Sequence, residues 1–179
     1  MPPVLIIPGW MNSGPDHWQS LWEAAHPAWQ RVHQQDWDSP TVADWVARLD
    51  EAIRVSRTPP VLVAHSLGCI AIAHWAASRS SVRVAAAFLV APADVEQADT
   101  PIPLLPFAPI PLQALPFPTV VVASRDDPYA TFDRAELLAR AWGADLVDAG
   151  RAGHLNSAAG FGPWSAGEAL LGALIARAA

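Results

Sequence analysis

Apolar residues come in short solid runs, separated by longer stretches where they recur every three or four positions. Val4–Pro8, Pro60–Ala64, Arg83–Val90 and Thr119–Ala123 are runs of mostly Val, Ile, Leu and Ala. Runs this short and this continuously apolar predict strands covered on both faces. Gln30–His33 and Ala144–Val147 predict shorter strands of mixed polarity. The stretches between them read as helices. In His17–Ala25, Trp18, Leu21 and Trp22 share one face. In Thr41–Val55 the same spacing links Val42, Trp45, Val46, Leu49 and Ile53, with Thr41 as a candidate N-cap and Asp44 three residues on. Leu67–Ala77 is apolar nearly all round, which predicts a central helix. Phe132–Trp142 is closed by Gly143, and Ser165–Arg177 predicts a last helix.

Strands alternating with helices of this length imply βαβ units and a parallel sheet with right-handed crossovers. One stretch breaks the rhythm. Thr100–Pro118 holds seven prolines among Ile, Leu, Phe and Ala. Proline at that density forbids regular helix or sheet. An irregular apolar connection packed on the surface is expected there, or a partial cover over a site.

Composition narrows the class. The 179 residues suit a single domain spanning 1–179. With 52% hydrophobic and 16% charged residues and a mean hydropathy of +0.20, the chain is not a disordered one. Its longest apolar runs are far too short to span a bilayer, and the opening residues lack the basic region of a signal peptide, so a cytoplasmic location is expected. The net charge is -6, and all 11 basic residues are arginines scattered along the chain. That balance argues against a nucleic-acid partner or an anionic membrane surface. The one cysteine, Cys69, has no partner for an internal disulfide, and no Cys/His cluster has zinc spacing. No metal and no cofactor are expected. The 9 tryptophans supply bulky walls for a core or an apolar pocket.

The chemistry begins where the strand Pro60–Ala64 runs through Ala64-His65-Ser66-Leu67-Gly68 into a helix. This is the strand–elbow–helix context that gives G-x-S-x-G its meaning: a sharp turn lifts a serine out at the carboxyl edge of the sheet. Small residues on either side keep strand and helix from colliding. Gly68 meets that need on one side, and Ala64 adds only a methyl on the other. A nucleophilic serine needs a base, and the base an orienting carboxylate. The strand Thr119–Ala123 is followed by Ser124-Arg125-Asp126-Asp127-Pro128, and the next strand by Gly153-His154. Asp126, Asp127 and Asp94, which follows the strand Arg83–Val90, are the candidate acids.

Taken together, several segments resemble the compact serine hydrolases related to retinoblastoma-binding protein 9. They are Pro8-Gly9-Trp10 with His17-Trp18 and Trp22, the Ala64–Gly68 elbow, Ser124–Pro128, and Gly153-His154-Leu155-Asn156 followed by Gly160-Phe161-Gly162-Pro163-Trp164. The resemblance covers nearly the whole chain. It implies a three-layer α/β-hydrolase fold without a cap domain, its six-stranded parallel sheet ordered 2-1-3-4-5-6. It implies Ser66 as nucleophile, His154 as general base and Asp127 as triad acid. Leu67-Gly68-Cys69-Ile70-Ala71 lacks the glutamate of an L-x-C-x-E motif, so binding to a pocket protein does not follow.

Backbone N–H groups should form the oxyanion hole: that of Leu67, directly after the nucleophile, and that of Trp10, in the loop after the first strand. Trp10, His17, Trp164 and parts of Thr100–Pro118 are expected to wall the substrate pocket. The resulting expectation is a metal-independent serine hydrolase, working as monomer or homodimer on a small ester, thioester or amide. The alternatives are a non-catalytic binding or scaffold protein on the same fold, and a lyase or haloperoxidase-like activity.

Overall fold

The computed structural model describes residues 2–78 and 83–178. Its centre is a six-stranded, all-parallel sheet. The strands are β1 (Val4–Ile7), β2 (Gln30–Arg31), β3 (Val61–His65), β4 (Ala86–Val90), β5 (Thr119–Ala123) and β6 (Asp145–Asp148). They lie in the order β2-β1-β3-β4-β5-β6, as expected for an α/β-hydrolase. The helices are α1 (Trp18–Ala25), α2 (Val42–Val55), α3 (Leu67–Ser78), α4 (Phe132–Trp142) and α5 (Ser165–Ala178).

Side chains alternate across each strand, and both faces are covered. Leu5, Ile7, Leu62, Ala64, Ala87, Leu89 and Val121 join a core with residues of α2, α3 and α4, including Trp45, Leu49, Ile70, Trp75, Leu138 and Trp142. Val4, Ile6, Val61, Val63, Phe88, Val90, Val120 and Val122 join a second core with Trp18 and Trp22 of α1 and Leu171 and Leu174 of α5. Continuous apolar runs are therefore what this sheet requires. The edge strand β6 is half exposed, which explains its mixed sequence.

The caps fall where the sequence puts them. Thr41 accepts the Asp44 N–H ahead of α2, and Gly143 closes α4 in the left-handed region at φ 69°. The proline-rich stretch contains one irregular helical turn, Ile102–Phe107, and is pinned to the sheet's covering helices. His74 Nε2 donates to Phe107 O at 2.8 Å, Trp142 Nε1 donates to Pro111 O at 2.8 Å, and Phe107 and Ile110 are buried. Prolines remove their own donors, so side chains from α3 and α4 satisfy the carbonyls instead. Among the described residues there is no cap domain, and no helix is long and apolar enough to cross a membrane.

Candidate active site

Ser66 occupies a turn with φ 55°, between β3 and α3. A non-glycine residue held there is strained, and it persists only where its surroundings over-determine it. Those surroundings are tight. A Cβ on Gly68 would lie 2.5 Å from Ile7 O, and one on Gly9 would lie 2.9 Å from Ser66 Cβ and 3.3 Å from Leu67 N. The first turn of α3 and the loop after β1 are thus pressed against each other, with the serine between them.

That loop is held from several sides. Arg31 on β2 donates to Asn12 Oδ1 at 2.8 Å, to Ser13 O at 3.0 Å and to Ser20 Oγ at 2.7 Å. The buried Gln19 amide donates to Ile7 O and Val63 O, both at 3.2 Å, and accepts from Ser13 Oγ at 2.7 Å. Met11 and Asn12 both adopt positive φ, and their N–H groups are used by Trp37 O and Gly9 O. Among the described residues, neither the Trp10 nor the Leu67 N–H donates to a backbone carbonyl.

The loops after β5 and β6 bring Asp127 and His154 together. His154 Nδ1 lies 2.9 Å from each carboxylate oxygen of Asp127, and the two side chains are only 8% and 4% exposed. Tyr129 N–H also donates to Asp127 Oδ1 at 2.8 Å, and the Tyr129 ring packs edge-on to His154 at 4.5 Å. With Nδ1–H directed at the carboxylate, the neutral ring keeps Nε2 as a bare acceptor. The other candidate acids are engaged elsewhere. Asp94 takes Arg134 Nε at 3.2 Å and the Glu96 N–H at 3.2 Å. Asp126 takes the Gly153 N–H at 2.8 Å and the Ser124 hydroxyl at 2.9 Å; the Gly153 bond is the first cause of a carboxyl pKa held below the ordinary value, with Ser124 second.

Ser66 and His154 open onto one cavity of about 300 Å³, lined also by Trp10, His17, Leu104 and Tyr129. Thr100 and Pro101 reach it as well, so the start of the proline-rich stretch forms part of one wall. Asn12, Gln97, Asn156 and Ser157 add polar groups. His17 caps α1: its Nδ1 accepts the Gln19 N–H at 3.2 Å, which leaves the hydrogen on Nε2. That buried Nε2 has no hydrogen-bond partner among the described residues. Burial first, then repulsion from His154 and Arg31, pushes the His17 pKa from 6.5 down to about 4. His65 lies between the two rings, 4.7 Å from each, and its Nε2–H donates to His154 O at 2.9 Å. Burial likewise drives its pKa well below the usual value, ahead of repulsion from His154 and His17.

One expected wall is elsewhere. Trp164 stacks on Trp22 at 5.8 Å and 12°, meets Trp18 edge-on at 5.3 Å, and packs against the core between β4 and α5. It is not among the residues lining the cavity. The reason is its place at the head of α5, which covers the sheet face opposite α3. Its likeness to a pocket residue lay only in following the His154 loop. Conversely, Tyr129 was missed, although its position two residues after Asp127 is a signal for it. Arg31 and Gln19 were also missed, because nothing local marks a residue that braces a distant loop.

Comparisons with known proteins bear on the family and the fold. The model of the serine hydrolase family matches residues 4–173. A solved structure described as a YdeN-like hydrolase, from Pectobacterium atrosepticum, is 35% identical with a TM-score of 0.87, over 98% of this chain and 91% of that one. The ydeN gene product of B. subtilis is 22% identical with a TM-score of 0.80, over 98% of this chain and 100% of its own. Esterase 2 of Thermogutta terrifontis shares the fold at 18% identity and a TM-score of 0.72, over 98% of this chain and 83% of that one. No curated protein matches the chain significantly. With a family model spanning almost its whole length, the chain belongs to the serine hydrolase family.

Proposed function

We propose that the protein hydrolyses small carboxylic esters, or the related thioesters and amides, through an acyl-enzyme on Ser66. One observation carries the reading: Ser66, strained at φ 55°, and His154, joined to Asp127 at 2.9 Å, line the same cavity. Ser66 Oγ attacks the acyl carbon while His154 Nε2 takes its proton. The Asp127 carboxylate steadies the imidazolium that results and keeps its own charge. The oxyanion that develops is met by the N–H groups of Leu67 and Trp10, which are positioned before the reaction starts. His154 then returns the proton to the departing alcohol, thiol or amine. A water molecule, deprotonated by the same imidazole, releases the acid.

The charge state of the surroundings supports this reading. His17 and His65 stay neutral near pH 7, so neither ring puts a positive charge next to His154. The bracing of the loop after β1 by Arg31 and Gln19 supports the oxyanion assignment, since such donors work only when held in place.

A fluorophosphonate probe tests the reading. Purified protein should be labelled once per chain and should turn over p-nitrophenyl acetate. Ser66→Ala should abolish both while its circular dichroism and Tm stay native. A wild-type protein that neither labels nor hydrolyses would point to the scaffold alternative.

A further inference from the structure

A run of hydrogen bonds ties the loop that carries His154 to the loop that carries Asp127. Ala149 N–H donates to Ala123 O at 2.8 Å, and Arg125 N–H donates to Gly150 O at 2.7 Å. Ala152 N–H donates to Ser124 Oγ at 2.9 Å, and Gly153 N–H to Asp126 Oδ1 at 2.8 Å. The same Asp126 oxygen receives the Ser124 hydroxyl at 2.9 Å. Only then does the His154 ring reach Asp127. Gly153 turns the chain at φ 54°, where a Cβ would meet Ala159 Cβ at 2.9 Å, so this turn is narrowly defined. Its far side is pinned by the His65 bond to His154 O.

We propose that Asp126 is a positioning residue: it holds the backbone turn that presents His154, while its neighbour Asp127 orients the imidazole of the same residue. The proposal rests on the hydrolase reading above. Adjacent carboxylates cannot both face one ring, because successive side chains diverge, and here they divide one task between ring and backbone. Asp126 Oδ1 serves two donors at once, the peptide N–H directly before His154 and the hydroxyl that holds Ala152. A charged acceptor makes such bonds shorter and stronger than a neutral one. Asp126 touches no reacting atom in this scheme. Its effect is to fix where Nε2 of His154 stands in the cavity it shares with Ser66, for a reaction where a misplacement of about 1 Å can cost ~100-fold in rate.

The prediction separates position from charge and from simple stability. Asp126→Ala should lower kcat by about 10- to 100-fold with KM nearly unchanged, the pattern of a loss felt only in the transition state. The fluorophosphonate labelling rate should fall by a similar factor, with one label per chain still reached. Asp126→Asn keeps an acceptor oxygen in place and should recover most of kcat. Wild-type kcat in Asp126→Ala would overturn the proposal. So would a loss seen only in KM, or an Asn variant no better than the Ala one. If Asp126→Ala fails to fold, Ser124→Ala reads the same latch, because it strips the Ala152 N–H of its acceptor. A moderate kcat loss at constant KM is expected there, and an unchanged kcat overturns the proposal. Absence of labelling in the wild type would instead refute the hydrolase reading and take this proposal with it.

Discussion

Gly68 and Ile7 approach so closely that a methyl group on the glycine would lie 2.5 Å from the Ile7 carbonyl oxygen. The carbonyl belongs to the last residue of β1 and the glycine to the first turn of α3. Their contact sets how near the loop after β1 comes to the elbow, and so where the Trp10 and Leu67 N–H groups stand relative to Ser66. Neither partner is a flexible side chain, so the strain of a larger residue has nowhere cheap to go.

Gly68→Ala should therefore destabilise the protein by about 1–3 kcal/mol and slow probe labelling of Ser66. Gly172 is the control. It lies on the exposed side of α5 with nothing within 4 Å of its would-be Cβ, so Gly172→Ala should stabilise by about 0.5–1 kcal/mol. Thermal melts of the pair decide it. Equal Tm shifts would show that the approach at Gly68 is not tight.

Asp127→Asn should lower kcat by on the order of 10³–10⁴, because the amide no longer holds the imidazole in the productive tautomer. Asp94→Asn should cost far less, since that carboxylate faces Arg134. Steady-state rates on p-nitrophenyl acetate measure both. Were Asp94 the more damaging position, the acid would have to be reassigned to the loop after β4.

His17 makes stability fall in mild acid. Its folded pKa is depressed from 6.5 to about 4, so the unfolded chain binds a proton first. Stability from this group is fully present above pH 6.5 and is lost as pH falls toward about 4. At about 1.4 kcal/mol per pH unit, the loss approaches ~3 kcal/mol. Urea titrations from pH 7.5 to 4 should show this slope in the wild type and a shallower one in His17→Asn, whose amide oxygen can take over the N-cap role of the imidazole Nδ1. Parallel slopes in the two proteins would remove the assignment.

A cavity of about 300 Å³, walled in part by Pro101 and Leu104, holds little beyond a short acyl chain and the ester itself. Acetate and butyrate esters should be turned over faster than octanoate, and EDTA should leave all rates unchanged. A preference for octanoate would mean that the proline-rich stretch moves aside. Chelator sensitivity would contradict a mechanism in which Ser66, His154 and Asp127 suffice.

Much of this molecule is legible in its sequence, for local reasons. Residues 61–64 are apolar at every position because both sheet faces are covered, and that marks a central parallel strand. Thr41 and Gly143 mark helix ends because caps are short-range chemistry. The order of Ser66, Asp127 and His154, each after a strand, follows from a parallel sheet that delivers every such loop to one edge.

What the sequence could not decide was everything set by contact between distant segments. Of Asp94, Asp126 and Asp127, all placed after strands, only packing says which meets His154 and which meets a backbone N–H or an arginine. Trp10 and Trp164 are both tryptophans in motif loops, yet one lines the cavity and the other packs, partly buried, against the core at the head of α5. Periodicity reports that a side chain is buried, not against what. The sequence by itself determined the strands, the helices and the chemical types at the sheet's carboxyl edge, because those depend on neighbours within a turn or two. The tertiary structure alone decided which carboxylate meets the His154 ring and which rings share a cavity with Ser66, because contacts of about 3 Å depend on where loops dozens of residues apart come to rest.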